Sequence, residues 1–261
     1  MKHVHSRDNP LFRTLHALAT SSRERRQRRA ALLDGPHLIA MHAASGRTAE
    51  AVVASETALQ KDEVLGLLEA TPARQRAVLA DRLFAEIAQV TTPVGIAAWI
   101  DVPDAGPVPA RPAECVLLDG LQDAGNVGSI LRTAAAAGVR EAYLGKGTAF
   151  AWAPKVLRAG QGAHFALAIR ENVSLAEVAA RFEGPVLTTA ASGPTTLYDV
   201  DLRAPVAWIF GNEGAGVDAG LAARATDVVA IPLARGAESL NVAAAAAVCL
   251  FEAVRQRRAT R

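Results

Sequence analysis

The feature that most constrains this chain is the regular alternation in its second half. Short apolar runs at residues 115–118, 141–144, 165–169, 186–189, 206–210 and 228–231 read as strands. Helical stretches lie among them: 126–137 carries an alanine-rich face, and 241–258 forms a terminal helix. The strand runs are nearly continuous in apolar residues, as expected when both faces of a sheet are covered. Strands alternating with helices predict an α/β fold built on a parallel sheet.

The first half is less regular. Asn9-Pro10 predicts a helix start, with an Asn cap and a proline in the first turn. Leu11, Leu15 and Leu18 then share one helical face, and the helix can continue through the arginines that follow. Strands are expected at 51–54, 76–80 and 94–100, and helices at 36–44 and 62–70. Between the halves, residues 101–112 contain Pro103, Pro107, Pro109, Pro112 and Gly106 and read as a linker. The expected organisation is a small α/β domain at 1–100, a linker at 101–112 and a larger domain at 113–261. No internal repeat interrupts it.

Composition sets the outer bounds. Of 261 residues, 51% are hydrophobic and 21% charged, enough apolar material for a large core and too few charges for wholesale disorder. The net charge of +2 says little, but its distribution says more. Arg23, Arg25, Arg26, Arg28 and Arg29 form one basic cluster, and Arg255, Arg257, Arg258 and Arg261 a second. Such clusters attract phosphate polyanions, and they also occur as plain solvated helix faces. Cys115 and Cys249 lie inside apolar runs, the setting of buried small hydrophobes and not of a disulfide or a metal site. The N-terminus has no signal-peptide core, and the longest apolar stretch, 242–251, is too short to span a bilayer. A soluble, cytoplasmic protein is expected.

Three polar, glycine-bearing stretches follow three of the expected strands, where ligands bind in parallel α/β folds. The first, 118–134, enters a helix carrying Asn126 and Arg132. A guanidinium fork suits phosphate or a ribose edge, although a capped helix with a surface arginine has the same sequence. It lacks the glycine spacing of a dinucleotide fingerprint. The second, 209–217, holds Gly211, Gly214 and Gly216 around Asn212 and Glu213, and reads either as a ligand loop or as a tight turn. The third, 231–243, includes Ile231, Ser239, Leu240 and Asn241, of which Ser239 or Asn241 can cap the last helix.

Taken together, the three stretches resemble, in order and spacing, the motifs of the SpoU (TrmH) family of RNA ribose 2′-O-methyltransferases. Asn126, Gly128, Arg132, Thr133 and Ala134 match the first motif, residues 210–214 the second, and Ile231-Pro232 with 238–242 the third. Lys155 and Arg158, with Gly162-Ala163, resemble the family's intermediate segment. The resemblance covers 114–253, with Ala124 standing where many members carry proline. The N-terminal segment more loosely resembles the L30e-like substrate-binding domain often fused to this family. Its matching features are Ser6 with Asn9-Pro10, the arginine-rich helix, Gly35 and residues 92–97, though Asp34 precedes Gly35 where glutamate is more usual.

The resemblance implies a SPOUT-like parallel sheet with a trefoil knot, a homodimer and S-adenosylmethionine as methyl donor. It places Arg132, Asn126, Glu213, Ser239 and Asn241 at the catalytic site, and Gly211, Ile231 and Leu240 at the cofactor, with Thr188 and Ala190 as further candidates. Arg132 is expected to clamp ribose and phosphate, because deprotonating a guanidinium is costly. Glu213 is a candidate for acid–base work or for orienting Asn126 or Arg132. Arg23, Arg25, Arg26, Arg28, Arg29, Lys155 and Arg158 are the expected RNA contacts. With few aromatics for base stacking, recognition is expected through shape and backbone, and the extra domain tilts the expectation from transfer RNA to ribosomal RNA. Two readings stay open beside this one: a non-catalytic RNA-binding or assembly protein, and a base methyltransferase on the same scaffold.

Overall fold

A computed structural model describes residues 1–190, 193 and 195–259. Its strands are β1 (Lys2–Val4), β2 (Ala30–Asp34), β3 (Ala49–Ser55), β4 (Ala73–Leu79), β5 (Ile96–Asp101), β6 (Cys115–Asp119), β7 (Glu141–Leu144), β8 (Ala168–Glu171), β9 (Val186–Ala190), β10 (Thr195–Thr196), β11 (Ala207–Gly211) and β12 (Asp227–Ala230). Its α-helices are α1 (Pro10–Thr20), α2 (Ser22–Arg28), α3 (Pro36–Ala44), α4 (Asp62–Ala70), α5 (Asp81–Ile87), α6 (Ala124–Ala136), α7 (Pro154–Gly160), α8 (Leu175–Arg181), α9 (Ala219–Ala222) and α10 (Val242–Ala259). They form two compact units, one of 1–103 with 152–165, the other of 104–151 with 166–261.

The first unit is a five-stranded sheet in the order β1-β4-β3-β5-β2. β1, β4 and β3 run parallel, and β5 runs antiparallel to both β3 and β2. Leu11, Leu15 and Leu18 of α1 and Leu83, Phe84 and Ile87 of α5 bury against Leu32, Val53 and Leu79 of the sheet. Asn9 caps α1 by accepting from the Leu11 backbone at 2.9 Å, as its sequence position predicts. The helix does not continue through the arginines. Ser21 turns extended, ends α1 and accepts from the Glu24 backbone to start α2. Helix α7 belongs to this unit, packs on β2, and sets Gly162 so close to Met41 that a Cβ would lie 2.7 Å from its side chain.

In the second unit seven strands form an all-parallel sheet, ordered β10-β12-β9-β11-β6-β7-β8. The register aligns Gly211 with Asp119 and Ala190 with Ala230, which brings the C-terminal ends of four central strands to one edge. Cys115, Leu117, Tyr143, Ala207 and Ile209 form one buried cluster with Leu175 and Val178 of α8 and Leu221 of α9. The expected strand at 165–169 starts later, at Ala168, because residues Ala163–Ala166 coil into a 3₁₀ turn. Among the described residues, no helix is long and apolar enough to cross a membrane.

Candidate active site

At the shared C-terminal edge of the sheet lies a cavity of about 370 Å³. Its walls come from Thr189 and Ala190 after β9, from 211–217 after β11, and from Ile231, Leu233 and 239–242 after β12. Helix α10 contributes Ala245. The volume falls inside the range of about 300–1,000 Å³ typical of small-molecule sites. Leu240 keeps 41% of its surface open at the lip, an apolar side chain with nothing yet over it.

The second loop is tightly built. Asn212 and Gly216 exchange backbone hydrogen bonds at 2.8 and 2.9 Å. The Asn212 side chain accepts from Gly214 and Ala215, both at 2.9 Å, and donates to the Gly120 carbonyl at 2.7 Å. Gly216 takes φ +72°, and a Cβ on Gly211 would lie 2.4 Å from the Gly216 carbonyl carbon. Only glycine at 211 lets the two arms of this turn close.

Beside the cavity a polar chain links all three stretches. The Asn241 side-chain amide donates to Asn126 Oδ1 at 3.0 Å, and the Asn126 amide donates to Glu213 Oε1 at 2.9 Å. Glu213 also accepts from the Gln122 and Asp123 backbones at 3.4 and 3.3 Å. Burial pushes the Glu213 carboxyl up, but the Asn126 amide and the backbone donors of Glu213 itself, Gln122 and Asp123 outweigh it and hold the group below its usual value. Asn241 caps α10 through Ala243 at 2.9 Å, so the capping role falls to Asn241 and not to Ser239. Asp123, not Asn126, caps α6, accepting from the Asn126 backbone at 2.8 Å; this leaves the Asn126 side chain for the network.

Of the residues expected from the sequence, Gly211, Ile231, Leu240, Ala190, Glu213, Ser239 and Asn241 line the cavity. Thr188 does not. It is buried within the sheet, paired between Ile209 and Val228 with its hydroxyl 3.5 Å from the Ile209 carbonyl, and the last two residues of β9, Thr189 and Ala190, meet the cavity. Thr189, Asn212, Val217, Leu233 and Ala245 are additions, and a place at the carboxyl end of β9 is the signal that would have selected Thr189 over Thr188. Arg132 lies outside the cavity wall, exposed on α6, and among the described residues its side chain makes no hydrogen bond or ion pair.

The basic residues divide. Arg23, Arg26, Arg28 and Arg29 are exposed, Arg28 pairing with Glu24 at 2.9 Å. Arg25 is a correction: it is 8% exposed and donates to the Leu18 and Ala19 carbonyls at 2.6 and 3.2 Å, closing the end of α1. Lys155 and Arg158 are exposed on α7, with Arg158 donating to the Gln89 carbonyl at 2.9 Å. Near the C-terminus Arg257 holds Glu114 at 2.6 and 2.8 Å, and Arg255 holds Glu252 at 2.7 and 2.8 Å, so both serve internal pairs. Arg258 is exposed; Arg261 lies outside the described residues.

A parallel α/β unit with a small-molecule cavity at its strand ends, beside a fixed amide–carboxylate chain, defines a ligand-binding site with polar groups held at its rim. The chain belongs to the SpoU rRNA methylase family, which residues 114–251 match. It is 35% identical over 254 residues to the 23S rRNA (guanosine(2553)-2′-O)-methyltransferase RlmP of Bacillus subtilis, covering 96% of this chain and 98% of that one. Among solved structures it resembles the SpoU methyltransferase AviRb of Streptomyces viridochromogenes in complex with AdoMet. The TM-score is 0.86 at 27% identity, over 97% of this chain and 100% of that one. An AdoMet-bound rRNA methyltransferase of Sinorhizobium meliloti gives a TM-score of 0.83 at 28% identity, over 97% of each.

Proposed function

We propose that this chain transfers a methyl group from S-adenosylmethionine to a ribose 2′-hydroxyl of ribosomal RNA. The carrying observation is the cavity at the strand ends, walled after β9, β11 and β12, with the last two of these loops tied to the start of α6 through the Asn241–Asn126–Glu213 chain. The residues fit the cofactor. Backbone at Gly211, Ile231 and Leu240 can meet the hydrogen-bonding edge of an adenine, and the open Leu240 side chain can cover its face. When bound, the cofactor supplies a sulfonium-activated methyl group.

The chain's own residues do the rest. Arg132 holds the ribose–phosphate backbone and offsets charge that develops on the 2′-oxygen. Asn126 is held from both sides, its oxygen toward Asn241 and its nitrogen toward Glu213, so its remaining N–H direction is fixed. A Glu213 carboxyl kept below its usual value is a poor proton acceptor and a good hydrogen-bond anchor. Its role is to position Asn126. Ser239 offers a hydroxyl at the cavity wall.

The same reading takes the first unit as an L30e-like RNA-binding domain and the C-terminal part of the second as threaded into a trefoil knot. It also takes the protein as a homodimer. One face of α10 buries Ala245, Ala246, Cys249 and Leu250 within the subunit, while Phe251 is left 47% exposed for a second copy. Radiolabelled S-adenosylmethionine with total RNA lacking its modifications tests the function. Alkali-resistant label in ribosomal RNA, lost with Arg132→Ala, is the expected result. Cofactor binding without label in any RNA species would favour an assembly role, and label on a base would reassign the reaction.

A further inference from the structure

Outside the methyltransferase site, three possible metal ligands converge in the first unit. His3 and His5 alternate along β1 and its extension, so both imidazoles leave the same face of the strand, while Val4 between them is buried in the core. Their rings lie 6.1 Å apart, inclined by only 18°. Glu56 follows the end of β3, its backbone fixed by a 3.1 Å bond to the Leu79 carbonyl. One donor atom from each of the three side chains lies within 4.8 Å of the others. This convergence bridges strands that are not neighbours, since β4 runs between β1 and β3.

We propose that His3, His5 and Glu56 form a binding site for a borderline divalent transition cation, Zn²⁺ foremost. Two imidazoles and one carboxylate are a ligand set that suits Zn²⁺ and leaves a fourth position for water. Bond lengths of about 2.0–2.1 Å in a tetrahedron require ligand atoms about 3.4 Å apart. His5 Nδ1 and Glu56 Oε1 already stand 3.5 Å apart, one edge of that tetrahedron. His3, exposed and with its donor atom within 4.8 Å of the other two, is the third ligand. The backbone at His5 is held independently, its carbonyl accepting from Arg82 at 2.6 Å, and Arg7 nearby is engaged by Glu86 at 2.7 Å. A simple surface ion pair accounts for His5 and Glu56 alone, whereas His3, stacked on His5, brings a second imidazole donor within 4.8 Å of both. The cation would clip the three-residue edge strand β1 to β3 across β4 and so lock the rim of the sheet.

The test uses the full chain without a histidine tag, stripped by chelator and titrated with Zn²⁺ by calorimetry. One Zn²⁺ per chain is expected, with affinity reduced at least about tenfold in His3→Ala, His5→Ala and Glu56→Gln. His37→Ala, remote in sequence and not part of the cluster, should bind as the unaltered chain does. Far-UV circular dichroism confirms that each variant is folded, and all three ligand side chains are at least partly exposed, so none should unfold the unit. Zn²⁺ should also slow amide exchange across β1 in the unaltered chain and not in His5→Ala. No Zn²⁺ binding by the unaltered chain, or binding within twofold of it in either histidine variant, would overturn the proposal.

Discussion

Asn126 and Glu213 stand 87 residues apart in the chain and share a hydrogen bond of 2.9 Å. One lies in the first turn of α6 and the other in the turn after β11, so the bond ties together two segments that the sheet has already brought to one edge. Asn241 extends the tie to the start of α10. If this chain of bonds positions Asn126, its members act as a unit. Glu213→Gln and Asn126→Ala should each lower single-turnover methyl transfer by on the order of 10–100-fold, and the double variant should lose little more. The pH profile of Glu213→Gln should keep its shape. Loss of the acid limb would make Glu213 the proton acceptor instead.

Arg132 is exposed and unengaged among the described residues, so its removal should not touch the fold. Arg132→Ala is expected to melt within about 0.5 kcal/mol of the unaltered chain. Its methyl transfer should fall by on the order of 10²–10³, as when a charge-stabilising donor is removed. Cofactor binding measured by calorimetry should be unchanged. A large drop in melting temperature would show that Arg132 is structural.

Gly211→Ala inserts a methyl group where the Gly216 carbonyl carbon is 2.4 Å away. The turn must open, which should cost about 1–3 kcal/mol in chemical denaturation and weaken S-adenosylmethionine binding at least tenfold. Gly214→Ala serves as the control, since the nearest atom to a Cβ there is 3.7 Å away.

The arginine cluster should separate by burial. Arg25→Ala removes two charge-assisted bonds that close α1 and should lower unfolding stability by about 1.5–3 kcal/mol. Arg23→Ala should leave stability alone and reduce the salt slope of RNA binding by about 1. Denaturation and filter-binding titrations on the two variants distinguish these outcomes, and a reversed pattern would refute the assignment.

Acid should act on Glu213 in a defined direction. Its folded pKa lies below its unfolded one, so ionised Glu213 adds stability that is present above the unfolded value and lost as the pH falls through the folded value. The stability difference between the unaltered chain and Glu213→Gln should hold at neutral pH and shrink below about pH 4.3. Urea titrations from pH 7 to 3 check this, and a difference that grew toward acid would contradict the assigned shift.

Much of the second unit was legible because parallel strands buried on both faces announce themselves as apolar runs. The loops at 211–217 and 231–242 were legible through glycine spacing and family resemblance together. What was hidden depends on neighbours distant in sequence. Thr188 and Thr189 are chemically alike, and only the strand's pairing decides which one meets the cavity. Arg25 looks like its exposed neighbours until the break at Ser21 folds it over the carbonyl end of α1. Strand β1 is three residues long and polar outside Val4, too short for periodicity to detect, and its pairing with β4 is set from more than seventy residues away.

Helix α7 carries a consequence for how the protein is made. Residues 152–165 complete the first unit although the chain has by then traversed 104–151 of the second. A gene cut at the proline-rich stretch would therefore yield a fragment whose β2 lacks one of the four helices that pack on it. On the ribosome, too, the first unit receives this last helix only after residue 165 has cleared the exit tunnel, with two strands and a helix of the second unit already made.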